Sequence, residues 1–131
     1  MRPTTSPPPL RILIAEAHPI EALGLTDLLH TLGHVLVGSV ASGQEAITAA
    51  GEHHPDLLLM DVDLRGGMDG IAAAVEVHTR LGIRSVFLAE QVDAMMRARA
   101  AEADPVAVLG KTSPVSVIAD ALRAAPLQLT H

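Results

Sequence analysis

The sequence predicts a doubly wound α/β fold, a five-stranded parallel sheet in the order 2-1-3-4-5 with helices on both faces. Three observations predict it. Five short apolar runs alternate with five helix-patterned segments, none longer than about four turns. The run LLLMD at 57–61 has no polar alternation, which marks a strand covered on both sides. Right-handed crossovers then bring every strand end to one edge, where open α/β sheets hold their ligands.

Each element has its own signal. MRPTTSPPP is rich in proline and polar residues, so residues 1–9 are expected to be a disordered tail ahead of one domain over 10–125. RILIA (11–15) is the first strand. Over 19–33, Ala22, Leu25, Leu28, Leu29 and Leu32 recur at helical spacing and Gly33 supplies the stop. HVLVGSV (34–40) is the second strand, and Ser42 with Glu45 at capping-box spacing starts a helix that runs to about residue 52. The third strand, 57–61, is followed by a helix over 70–82, a fourth strand SVFLA (85–89) and a helix over 93–103. VAVLG (106–110) is the fifth strand. The last helix opens with Ser113 as N-cap and Pro114 at the first helical position and ends at residue 125, leaving 126–131 as a short tail.

Composition excludes several functions. At 131 residues the chain is one domain with room for a core. Phe87 is the single aromatic residue, so recognition by base stacking is excluded. A formal charge of -6 with no basic stripe argues against a nucleic-acid surface. Cysteine is absent, which rules out disulfides and thiolate chemistry. With no leader pattern and no apolar run of membrane-spanning length, the chain is expected to be soluble and cytoplasmic, with no membrane partner.

At the shared edge the strands end on Glu16, on Asp61 and Asp63, on Ala89 and Glu90, and on Lys111. Lys111 is the only lysine beside eight arginines. A composition that otherwise chooses Arg keeps the compact ammonium at one strand end. Clustered carboxylates repel unless a cation sits among them, and hard oxygen ligands on loops suit Mg²⁺. A metal and a lysine flanking one carboxylate would neutralise phosphoryl oxygens and let that carboxylate act as nucleophile. The simpler alternative is an ion pair of Lys111 with Asp61 that closes the sheet edge.

These residues resemble the receiver domain of two-component response regulators. The resemblance rests on ILIAE, on PDLLLMDVDLRGGMDGIAAA and on VLGK, and covers residues 10–125. It implies a flavodoxin-like receiver fold and a signalling domain, not an enzyme beyond self-catalysed phosphorylation and dephosphorylation. Asp61 would accept a phosphoryl group from a histidine kinase or histidine phosphotransfer protein. Glu16, Asp61 and the backbone carbonyl of Asp63 would hold Mg²⁺, and Lys111 would contact the acyl phosphate. Only PLQLTH follows residue 125, so a stand-alone receiver signalling to a downstream protein target, with a homodimer as one arrangement, is expected.

The sequence also departs from the family pattern. The usual adjacent acids are here Glu16 and Ala17, so one metal ligand is replaced by a methyl group. The carboxylate of Asp63 is expected to compensate partly by turning toward the site, with Glu16 as the competing route. Ala89 stands where the family has Thr or Ser, Val108 where it has Tyr or Phe, and Thr112 where a proline follows the lysine. The missing hydroxyl and ring leave the usual switch positions empty. A degenerate receiver that binds its partner without phosphorylation is the alternative. LLLMDVD also resembles the Asp-x-Asp strand of haloacid-dehalogenase phosphatases, but that motif belongs in the first strand. His18, next to Glu16, is either a contact for the metal or phosphoryl group or an exposed helix-start residue. His30, His34, His53 and His54 lack companions at zinc spacing and read as surface or helix-end residues.

Overall fold

The computed structural model describes residues 8–129, so residues 1–7 of the expected disordered tail lie outside the described residues. In chain order the elements are β1 (Arg11–Ala15), α1 (Pro19–Thr31), β2 (Val35–Val40), α2 (Gly43–His53) and β3 (Leu57–Asp61). They continue as α3 (Gly70–Leu81), β4 (Arg84–Ala89), α4 (Ala94–Ala100), β5 (Ala107–Gly110) and α5 (Val115–Gln128). All strand pairs are parallel and the order is β2-β1-β3-β4-β5, as the alternation predicts. No helix among the described residues is long and apolar enough to cross a membrane.

Strand parity explains the unbroken apolar run of β3. Leu57 and Leu59 join Ile12, Ile14, Val86 and Leu88 in a core closed by Leu29 of α1 and by Ile118, Leu122 and Ala125 of α5. Leu58 and Met60 point the other way, with Leu13, Ala15 and Phe87, against Ala46 and Ala50 of α2, Ile71 and Val77 of α3, and Met96 and Ala100 of α4. Successive residues of a strand face opposite sides, so a strand covered by helices on both sides has no polar position. Each large apolar side chain buried this way stabilises the fold by about 1.5–3 kcal/mol.

Caps set the helix starts. Ser42 Oγ accepts the Glu45 N–H at 3.1 Å and donates to Glu45 Oε1 at 3.0 Å, Asp69 accepts the Ala72 N–H at 2.8 Å, and Asp93 accepts the Met96 N–H at 2.8 Å. The helix expected over 93–103 is shorter: α4 ends at Ala100 and tightens into a 3₁₀ turn over Ala101–Ala103, closed by Asp104 at φ 47°. Ser113 is not the cap of the last helix. Its N–H donates to the Gly110 carbonyl at 3.0 Å, and Pro114 takes the cap position without a side-chain bond.

Two expectations at the opposite edge are corrected together. The last helix does not stop at residue 125: α5 runs to Gln128 through Pro126, which is buried. Proline has no N–H for the carbonyl four residues back, that of Leu122. His34 Nε2 lies 3.2 Å from that carbonyl, while His34 Nδ1 accepts the Leu10 N–H at 3.0 Å. Accepting on Nδ1 places the ring proton on Nε2, where it donates to Leu122. His34 is thus a buried tie between the starts of β1 and β2 and the end of α5, not a surface residue.

Candidate functional site

Parity also builds the site. Glu16 continues Ile12 and Ile14, Asp61 continues Leu57 and Leu59, and Lys111 continues Ala107 and Leu109, all on the α1/α5 face. Three separate strand ends therefore converge. Lys111 Nζ donates to Asp61 Oδ2 at 2.9 Å and lies 3.6 Å from both Glu16 Oε1 and Glu21 Oε2. Its backbone N–H donates to the Ala89 carbonyl at 2.8 Å, carrying the β4–β5 pairing one residue past the strands. Asp61 is 1% exposed and Glu16 4% exposed, so both carboxylates sit where charge is costly without a partner.

The remaining oxygens are also held. Asp61 Oδ1 accepts the Asp63 N–H at 2.9 Å. Glu16 Oε2 accepts the His18 N–H at 3.0 Å and lies 3.1 Å from His18 Nδ1. The β3–α3 loop folds back tightly, with the Gly70 N–H on the Val62 carbonyl at 3.0 Å, and a Cβ at Gly70 would overlap the Asp61 carbonyl oxygen. Only glycine fits there. Gly66, at φ 100°, supplies the other backbone conformation that the loop requires.

The charges are unevenly balanced. Burial raises the pKa of Glu16, the His18 N–H opposes it, and the contact with Asp61 pushes it up further. For Lys111, burial works against the charge, but the hydrogen bond to Asp61 and the fields of Asp61, Glu16 and Glu21 win and raise its pKa. The ammonium is therefore the fixed counter-charge of the pocket. Beside it a groove of about 270 Å³ opens between α1 and α5, lined by Leu25, Leu28, Val115 and Ile118.

Glu16, Asp61 and Lys111 thus meet as the strand ends suggested. Asp63 Oδ2 accepts the Glu90 N–H at 3.1 Å. That N–H stands just past the end of β4 and claims the acid from across the edge. Ala17, Ala89 and Val108 lie on the other face, packed with the α2, α3 and α4 side of the core. Glu21 was not foreseen. Its only sequence signal is its place three residues after His18, in the first turn of α1, where helix periodicity returns it to the same side. Ligand atoms of Glu16, His18 and Asp61 all lie within 4.8 Å of one another.

Known proteins carry the same arrangement of elements. Residues 12–123 match the response regulator receiver domain family. The chain is 35% identical over 116 residues to the response regulator protein VraR of Staphylococcus epidermidis, covering 87% of this chain and 55% of that protein. It is 36% identical over 119 residues to the transcriptional regulatory protein PdtaR of Mycobacterium tuberculosis, covering 89% of this chain and 57% of that one. The chain therefore spans about half the length of these relatives. Among solved structures, the receiver domain of the response regulator NarL of Mycobacterium tuberculosis superposes with a TM-score of 0.82 at 25% identity, covering 92% of this chain and 98% of that domain. The response regulator domain of Thermotoga maritima CheB shares the fold at a TM-score of 0.79 and 21% identity, covering 93% and 96%. With this fold and this family match along nearly its whole length, the chain belongs to the response regulator receiver domains of two-component systems.

Proposed function

We propose that Asp61 accepts a phosphoryl group from the phosphohistidine of a histidine kinase or histidine phosphotransfer protein. The observation that carries this reading is the 2.9 Å bond from Lys111 Nζ to the buried Asp61 Oδ2. A carboxylate oxygen of Asp61 attacks phosphorus, the P–N bond to the donor histidine breaks, and the freed imidazole keeps the electron pair. Lys111 then turns its ammonium to the phosphoryl oxygens and neutralises them.

Receiver domains bind Mg²⁺ at an acidic pocket, and the donor set fits it in part. Glu16, Asp61 and the backbone carbonyl of Asp63 would hold the ion, which supplies charge neutralisation at the transferring phosphoryl group. Ala17 carries a methyl group where the family has a second acid, so one carboxylate fewer would hold the ion and weaker binding than at a three-acid site is expected. With a formal charge of -6, this segment is suited to a protein target, or a second copy of itself, as its direct partner rather than nucleic acid.

A second reading, a receiver that binds its partner without phosphorylation, draws on Ala17, Ala89 and Val108, which replace the metal ligand and both switch side chains with small apolar groups. One mass measurement separates the two. After incubation with acetyl phosphate and Mg²⁺, the parent chain is expected to gain one phosphoryl mass and Asp61→Asn none. No gain in the parent would leave the phosphorylation-independent reading in possession.

A further inference from the structure

We infer that His34 is a proton-sensitive clasp: its neutral ring fastens the start of β1 to the end of α5, and a second proton on the ring releases the start of β1. This corner lies at the opposite end of the strands from Glu16, Asp61 and Lys111, so the inference does not rest on the proposed function.

The start of β1 has no other fastening for its first donor. Pro8 and Pro9 have no N–H, so the Leu10 N–H is the first that the chain can offer after them. The neighbouring strands do not claim it. The Leu10 carbonyl accepts the Val35 N–H at 2.9 Å, and the next donor along, the Arg11 N–H, goes to Asp56 Oδ2 at 2.8 Å. The Leu10 N–H goes instead to His34 Nδ1, 3.0 Å away. His34 is held from behind, because its own N–H donates to the Leu29 carbonyl at 2.9 Å.

An imidazole accepts on one nitrogen only while it is neutral, and the imidazolium donates from both. A proton on Nδ1 therefore sets two donors against each other at 3.0 Å, whereas donation from Nε2 to the Leu122 carbonyl survives. The Leu10 end is the one that lets go. The surroundings do not offset the added charge, since His34 is 8% exposed and, among the described residues, no carboxylate pairs with its ring. The charged groups of the elements packed around it are engaged elsewhere or exposed. On β1, Arg11 donates to the carbonyls of His53 and His54, both at 2.8 Å, and Asp56, ahead of β3, holds the Arg11 N–H. On α5, Arg123 pairs with Asp120 at 3.0 Å; on α1, Asp27 and His30 are exposed; and β2 carries no charge.

The ring nitrogens give the first reading. In ¹⁵N spectra of the chain at about pH 8, the bare nitrogen of His34 is expected to be Nδ1 and the protonated one Nε2. Amide hydrogen exchange, corrected for the intrinsic pH dependence of exchange, gives the second. Between about pH 8 and about pH 5, protection at Leu10 is expected to fall roughly tenfold or more as the ring takes its second proton, while Leu58 and Leu59 of β3 stay within about twofold. His34→Gln keeps one acceptor and one donor but takes no proton, and is expected to hold Leu10 protection within about twofold over the same range. The inference is overturned by a neutral ring protonated on Nδ1, by a ring that stays neutral throughout, or by a Leu10 amide that ignores the charging of the ring. A loss shared by Leu58 and Leu59, or one that persists in His34→Gln, overturns it equally. The ring spectra and the Leu10 amide of the parent decide the matter on their own if His34→Gln does not fold.

Discussion

The two faces of the sheet arrive at the same edge with different equipment. On the α1/α5 face the strands end in Glu16, Asp61 and Lys111, joined by His18 and Glu21, and the Lys111 ammonium is the counter-charge shared by the three carboxylates. On the α2/α3/α4 face the corresponding positions are Ala17, Ala89 and Val108, which continue the apolar core to the rim. Only one residue of strand separates the two sets, since parity alternates at each step. A parallel sheet can therefore keep a charged site on one face while the other is reduced to packing. In the resemblance to receiver domains, the first face takes the phosphoryl group and the second reports it, through a hydroxyl that moves and a ring that follows. Here the reporting side chains are absent.

Breaking the charged face should have the largest effect. Lys111→Met leaves Glu16 and Asp61 facing each other without a counter-charge, and removing one partner from a buried ion pair costs on the order of 3 kcal/mol. We expect a lower urea midpoint at neutral pH, measured by circular dichroism, and a smaller loss under acid conditions, where Glu16 takes up a proton. An unchanged midpoint would mean that the ammonium is dispensable and that the two faces are not distinguished by charge.

Glu16→Gln sharpens the comparison with a smaller effect of opposite sign. Burial and the contact with Asp61 raise the pKa of Glu16 above its ordinary 4.5, so the folded state holds a proton more tightly than the unfolded chain does. Its contribution to stability is then fully present below 4.5 and is lost as pH rises through the raised folded value. At neutral pH the substitution should raise the urea midpoint and flatten the decline seen on going up from pH 4.5. A variant less stable than the parent at neutral pH would show that its pairing with Lys111 outweighs its burial.

The charged face was more legible in the sequence than its details. Unbroken apolar strands with one acid or one lysine at the end specify a sheet edge, and parity alone sends Glu16, Asp61 and Lys111 to the same side. Asp63 shows where that logic stops. It lies past the strand, where the backbone turns freely, and its carboxylate goes to whichever N–H the loop offers, that of Glu90. Glu21 belongs to a helix rather than a strand, so its position depends on how α1 packs and not on parity. The end of α5 was hidden for a different reason. Proline reads as a helix stop, but His34, far away in sequence, takes the carbonyl that Pro126 cannot serve, and the helix continues. A bond between residues 88 apart in sequence leaves no local pattern.

The difference between the faces is tested most directly by amide hydrogen exchange, comparing the chain before and after treatment with acetyl phosphate. With Asp61 phosphorylated, changes in exchange are expected in the loops that follow β1, β3 and β5, next to Glu16, Asp61 and Lys111, while α4 and the strand segment at Val108 stay as they were. A broad change across α4 and β5 of the phosphorylated chain would contradict this, because it would show the apolar face reporting the phosphoryl group without a hydroxyl or a ring to do so.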